Sequence, residues 1–320
     1  MEFFAELSAV LFRPDTLSGT VRLAIPLLLA ALGGVFSERA GVVNIALEGT
    51  MLNGAFAAIT ATHYTGNPWL GVLAGIAAGV ATAALHAAVT VWAKADQIIS
   101  GVGINLTAVG LTQFLCSVIF HSSSNSPMVA TISPFWKADP EHPSALGTIF
   151  LSYSPIAYLA LALVAVSHVV LYRTAFGLRL RAVGENPQAA DTLGIHVPAM
   201  RWSGVLIGGA LAGLGGVYLA VDSAQFVQNM TAGRGYIALA AMIFGKWTPV
   251  GALAACLLFG FAMKMQFSLM GAANAPSLKE IPSQFWEALP YVVTIVVLAG
   301  FVGKAVPPAA IGRPYEKTES

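Results

Sequence analysis

Glu48 is the residue that asks most of its surroundings. It lies inside the apolar run Val42 to Thr62, and a carboxylate within a membrane is costly enough to need either a partner or a water-filled path. Asn44, four positions earlier, would project to the same side of a helix. Glu48 could therefore meet a solute on a pathway, or it could accept hydrogen bonds from backbone amides or from Arg39 at a bent helix. The residues leave both readings open. Asn105 and Thr112, seven apart with Gln113 beside them, form a second polar seam. It could line a path, or it could be interhelical glue worth about 1 kcal/mol per bond. Asn53, Gln225, Gln228 and Asn229 are weaker candidates of the same kind.

A different chemistry is offered by Gly177 to Val197, GLRLRAVGENPQAADTLGIHV, a polar stretch between long apolar runs. Asn186 suits an N-cap, Pro187 the first helical position, and Gly194 a left-handed ending. The spacing predicts a short helix of about 10 Å, too short to span a bilayer and long enough to sit in a groove on another protein. A plain surface loop with one helical turn is the competing reading. If the segment docks, Arg179, Arg181, Glu185 and Asp191 would supply polar contacts, while Ala189, Ala190 and Leu193 would pack into the groove.

The elements that must carry these residues are membrane helices. The 320-residue chain is 57% hydrophobic and only 10% charged, with a mean hydropathy of +0.74, far from the roughly 25% charge of a soluble domain. Runs near Leu17–Phe36, Val42–Thr62, Trp69–Trp92, Ile98–Phe120, Ser152–Tyr172, Ser203–Val221, Val250–Met270 and Ala288–Val302 can each approach a span. Gly235–Gly245 is only half a bilayer long and stops at Lys246 to Pro249, so it reads as a broken or re-entrant helix. The expectation is an all-α polytopic bundle of about eight to ten spans in one domain, residues 1–304, with a short tail over 305–320. Residues 1–12 suit an amphipathic interfacial segment or a frayed terminus.

Arginine and lysine place 173–202 and the tail in the cytoplasm and 121–151 outside. Glycines at four-residue spacing, Gly71, Gly75 and Gly79, then Gly204 and Gly208, point to closely packed helices. A net charge of +1 gives no basic surface for nucleic acid. Cys116 and Cys256 lie inside apolar runs and read as packing residues. His86 reads as a hydrogen-bonded core residue. There is no GxxxxGK[ST] loop, HExxH, GxSxG or acidic metal cluster, so neither an ATPase site, a metal site nor another catalytic site is expected in this chain.

Three stretches together resemble one family. RAVGENPQAADTLGI is similar to the coupling loop of ATP-binding-cassette (ABC) importer permeases of the branched-chain amino acid, ribose and nucleoside group. SERAGVVNIALEGTMLNGAF, Ser37 to Phe56, resembles the N-terminal signature of the nucleoside-type members, and Gly233 to Gly260 their C-terminal half. The resemblance implies a type II importer-like permease in the bacterial cytoplasmic (inner) membrane, with Arg179, Arg181, Gly184, Glu185, Asn186, Pro187, Ala189, Ala190, Asp191 and Gly194 at the ATPase. It further implies an ABC ATPase partner that uses ATP and Mg, an extracytoplasmic binding protein, and a second permease, a heterodimer over a homodimer. The solute would be a nucleoside, with ribose or another monosaccharide as the close rival. Of a different class, an ATP-independent secondary transporter using Glu48 remains open.

Overall fold

The computed structural model describes residues 13–134, 147, 152–270, 282–300 and 305–316. The expectation for residues 1–12 lies outside this set, as do residues 135–146 and 148–151 of the expected outer loop 121–151. Eleven helices are described: α1 (Pro14–Arg39), α2 (Leu47–Thr65), α3 (Pro68–Ala87), α4 (Gln97–Phe120), α5 (Pro155–Arg173), α6 (Ala175–Glu185), α7 (Pro187–Thr192), α8 (Val197–Ser223), α9 (Arg234–Phe244), α10 (Pro249–Met270) and α11 (Ser283–Gly300). A π-helical turn, Ala88–Trp92, prolongs α3. Six of these are long and apolar enough to cross a membrane: α1, α3 with its π turn, α4, α5, α8 and α10. This is the polytopic helical bundle that the apolar runs predict.

Helix starts follow local rules. Proline occupies the first turn of α1, α3, α5, α7 and α8, where its missing N–H is not needed. The Asp96 carboxylate caps α4 by accepting from the amides of Ile98 and Ile99, both at 2.9 Å. Inside the bundle α1 and α8 are central and run antiparallel against each other; α8 also packs against α2 and α3, and α1 against α10 and α9. The approach of α1 to α8 depends on glycine. A Cβ at Gly33 would lie 2.5 Å from the Gly208 carbonyl oxygen, and one at Gly208 would lie 2.7 Å from that of Gly33, so each backbone fills the other's missing side chain.

One predicted span needs correction. Val42–Thr62 is not a single helix: residues 40–46 are irregular and α2 begins only at Leu47. Gly41 takes a left-handed φ of +88°, and the backbone beyond it is satisfied by side chains. Ser37 Oγ donates to the Val42 carbonyl at 3.0 Å, and Val43 N donates to Gln97 Oε1 at 2.7 Å. His86 joins Ser100 Oγ at 2.9 Å to the Val43 carbonyl at 3.0 Å, the core role expected of it. Irregular backbone here survives because it is buried in protein and bonded by surrounding side chains.

Candidate functional site

α9 begins in the interior of the bundle, and a helix start exposes unpaired amides and a positive dipole end. Glu48, in the first turn of α2, meets both needs. Its carboxylate accepts from Gly233 N at 2.8 Å and Gly235 N at 2.6 Å and is 5% exposed. Arg39 is not its partner. Gly235 is required here, since a Cβ would stand 2.5 Å from the Glu48 Cα. Asn44, read above as sharing a helix face with Glu48, lies instead in the irregular segment. It is buried, its amide N–H donates to the Glu38 carboxylate, and its Oδ1 has no hydrogen-bond partner.

The other end of α9 is gripped by the end of α1. Between Phe244 and Pro249 the chain reverses through Lys246 and Trp247, both at left-handed φ, +54° and +52°. The Trp247 indole donates to Glu38 Oε2 at 2.6 Å. Arg39 donates through Nε to the Trp247 carbonyl at 2.9 Å and through Nη2 to that of Lys246 at 3.2 Å. Arg39 Nη1 also lies 4.0 Å from Glu185 Oε1, so the arginine stands between the α9–α10 turn and the arginine-bearing segment.

Asn105 is a knot of the same kind. It accepts from Gly49 N at 2.8 Å and donates to the Ile45 carbonyl at 2.9 Å and to the Tyr236 hydroxyl at 3.0 Å. Thr112 is buried and donates to the Ala108 carbonyl of its own helix at 2.7 Å. Gln113 does not join them. One residue is a 100° rotation on a helix, and this one carries Gln113 onto the exposed side of α4.

The arginine-bearing segment forms two helices at one end of the bundle. Thr174 caps α6 by accepting from Gly177 N at 3.1 Å, and Asn186 Oδ1 caps α7 by accepting from Ala189 N at 3.0 Å. Gly194 follows at φ +80°. Their inward face is Val183, Ala190 and Val197 with Ile195, Met200 and Tyr315 around them. Ala190 is thus 2% exposed and faces its own chain, which corrects its assignment to an external groove. The 100° step between neighbours on a helix puts Ala189 on the exposed side and Ala190 on the buried one. Pro187 and Gly184 are also buried, the latter against the Arg39 carbonyl.

Arg181 is likewise engaged inside the chain, donating to the Leu171 carbonyl at 3.0 Å and lying over the Tyr172 ring at 4.8 Å. Asp191 accepts a hydrogen bond from the Tyr315 hydroxyl. Arg179, Gln188, Ala189, Thr192 and Leu193 remain outward, and Leu178 with them. Leu178 and Leu193 are 62% and 81% exposed. Leu178 was not singled out by sequence, because its helix was not recognised.

At the opposite end a cavity of about 290 Å3 is lined by Arg22, Pro26, Tyr218, Asp222, Met230 and Arg234 among others. Its neighbour, about 170 Å3, shares Arg22, Tyr218 and Asp222. No local motif marks these residues, which come from α1, α8, the α8–α9 connection and α9. Among the described residues no group of three or more His, Cys, Asp or Glu side chains could hold a metal.

Comparison with known proteins covers most of this chain. Residues 16–298 match the family model described as branched-chain amino acid transport system / permease component. The guanosine ABC transporter permease protein NupQ of Bacillus subtilis is 45% identical over 313 residues, 93% of this chain and 95% of the relative. The nucleoside ABC transporter permease protein NupC of Lactococcus lactis is 43% identical, covering 92% and 94%. The putative glucose ABC transporter permease protein TsgC13 of Haloferax volcanii is 39% identical, covering 90% and 92%. No solved structure matches the chain. With its helical bundle, broken α9 and capped α7 matched over nearly their whole length, the chain belongs to the permease family of branched-chain amino acid transport systems.

Proposed function

We propose that this chain is the transmembrane permease subunit of an ATP-driven importer of nucleosides, with the α6–α7 end in the cytoplasm. The observation that carries the coupling role is α7 itself. It is capped, fixed on its inner side by Ala190, and presents Ala189 and Leu193 outward beside Leu178 of α6. A rigid helix with one apolar edge suits a groove on a separate ATPase subunit. That partner would bind ATP and Mg and perform the hydrolysis; this chain contributes motion.

Displacement of α6–α7 reaches Arg39 through Glu185, and Arg39 holds the turn that ends α9. α9 is anchored at its other end by Glu48. The half-helix is therefore a lever between the ATPase side and the interior, of the kind that biases inward-open against outward-open arrangements. The cavity of Arg22, Tyr218 and Asp222 supplies a polar outer approach for a solute handed over by an extracytoplasmic binding protein. Glu48, the carboxylate an ATP-independent carrier would use, is committed to two backbone amides, which favours the ATP-driven reading.

Likeness to guanosine and nucleoside permeases over nine-tenths of the chain supports a nucleoside as solute. The glucose permease relative favours a monosaccharide as the second reading. Family membership also supports a second, related permease as partner, in a heterodimer.

The test is purification from the native host in mild detergent, followed by uptake in proteoliposomes. Recovery of an ATP-binding subunit and a second permease, with ATP-dependent guanosine uptake that excess glucose does not compete, is the expected result. Active transport by this chain alone without ATP would overturn it.

A further inference from the structure

Residues Ala305–Glu316 carry no helix, yet they are bonded into the arginine-bearing end at five places. Ala310 N donates to the Gly184 carbonyl at 2.9 Å, and Ala309 N to Glu185 Oε2 at 3.2 Å. Gly312 N donates to the Gly41 carbonyl at 3.2 Å. Arg201 Nη1 donates to the Arg313 carbonyl at 2.9 Å. Lys94 and Glu316 pair at 3.1 Å. The tail thus touches the break after α1, the loop after α3, the end of α6 and the start of α8. Tyr315 adds α7, packing beside Val183, Ala190 and Val197 with its hydroxyl on Asp191.

Two features separate this from a passively lying terminus. Ala310 is 6% exposed in a stretch whose flanks are open. Arg201 is 1% exposed, and its Nε and Nη2 find no hydrogen-bond partner. The tail's Arg313 carbonyl is the acceptor that this buried cation uses, and an unpaired buried charge is strongly unfavourable. α7 meanwhile has six residues, too few to be stable on its own. Ala190 ties α7 to Val183 of α6 and Val197 of α8, and the tail adds ties from the same module to the break after α1 and the loop after α3.

We propose that Ala305–Glu316 is a strap that positions the α6–α7 module on the membrane core, so that motion imposed on α7 is delivered to α1 and α8. Tyr315 and Gly312 are its positioning residues. The inference rests on the permease reading above. It predicts a specific defect: the assembled transporter hydrolyses ATP but delivers less solute per ATP.

The experiment compares the full transporter carrying wild-type chain, a Gly312→Pro chain and a Tyr315→Ala chain in proteoliposomes, measuring guanosine uptake and ATP hydrolysis together. Proline cannot adopt the φ of +75° at position 312 and lacks the N–H given to Gly41, so it releases the end of the tail without touching a membrane helix. The expected result is recovery of the ATPase subunit at wild-type level with the uptake-to-hydrolysis ratio lowered about tenfold, and with Tyr315→Phe, which keeps the ring, restoring most of it.

An unchanged or raised ratio in both Gly312→Pro and Tyr315→Ala overturns the strap. Loss of the ATPase subunit from both variants also overturns it, because the tail would then be a docking surface. Absence of ATP-dependent uptake in the wild-type assembly would instead sink the permease reading.

Discussion

Glu48 and Gly235 meet as carboxylate and amide at 2.6 Å across 187 positions of sequence. The second oxygen takes the amide of Gly233, so one side chain caps a helix that starts in the interior and opposes its dipole. Glu48→Gln keeps the size but turns an NH2 toward one donor. The expected cost is about 1–3 kcal/mol, seen as a lower thermal midpoint and less monodisperse protein in detergent. Normal abundance with altered uptake would assign Glu48 to the pathway.

Trp247 and Glu38 should behave as one unit. Trp247→Phe leaves the Glu38 carboxylate, 3% exposed, without its 2.6 Å donor, a loss of about 1–3 kcal/mol or more for a charged group. Glu38→Gln combined with Trp247→Phe is expected to cost less than the two single changes added together. Unfolding midpoints of the four proteins in one detergent measure the coupling, and simple additivity would mean that the contact carries no energy.

Adjacent alanines on α7 should fail in different ways. Ala189 is exposed and Ala190 is 2% exposed. Ala189→Trp is expected to leave insertion and stability unchanged while abolishing ATP-dependent uptake. Ala190→Trp is expected to destabilise the chain itself by about 1–3 kcal/mol through overpacking. Equal stability of the two variants would contradict the inward placement of Ala190.

Between α1 and α8 a single methyl should be felt. Gly33→Ala sets a Cβ 2.5 Å from the Gly208 carbonyl oxygen, and the helices must part or tilt, at a cost of about 1–3 kcal/mol. Gly103→Ala, on the open side of α4 with no heavy atom within 4 Å, is the control and should be neutral. The comparison is read from the yield of folded protein and its thermal midpoint.

Local chemistry reveals local structure in this chain, and little beyond it. Asn186, Pro187 and Gly194 announce α7 because cap, first turn and left-handed ending are each properties of one residue. The half-length of α9 is visible for the same reason: Lys246 to Pro249 interrupt an apolar run. α6 is not visible, since its buried set of Gly177, Leu180, Val183 and Gly184 makes a weak apolar face among arginines. Thr174 was the available signal, three residues before the glycine amide that it caps. The contacts of Arg39 with Trp247 and of Glu48 with Gly235 join positions about two hundred apart. No spacing rule reaches that far, so Asn44 was placed on a helix with Glu48 when the fold had instead broken the helix between them.

The central position of α1 has a consequence for biogenesis. α1 is made early, but it packs chiefly against α8, α10 and α9, which leave the ribosome much later. Its glycine groove at Gly33 therefore waits, unmatched, while roughly half the protein is synthesised, and synthesis at about 5–20 residues per second makes that interval many seconds long. Until Gly208 arrives the groove is open to other helices in the membrane, so the vulnerable species is the half-made chain. Insertion machinery that shelters α1 during this window would keep Gly33 free for Gly208.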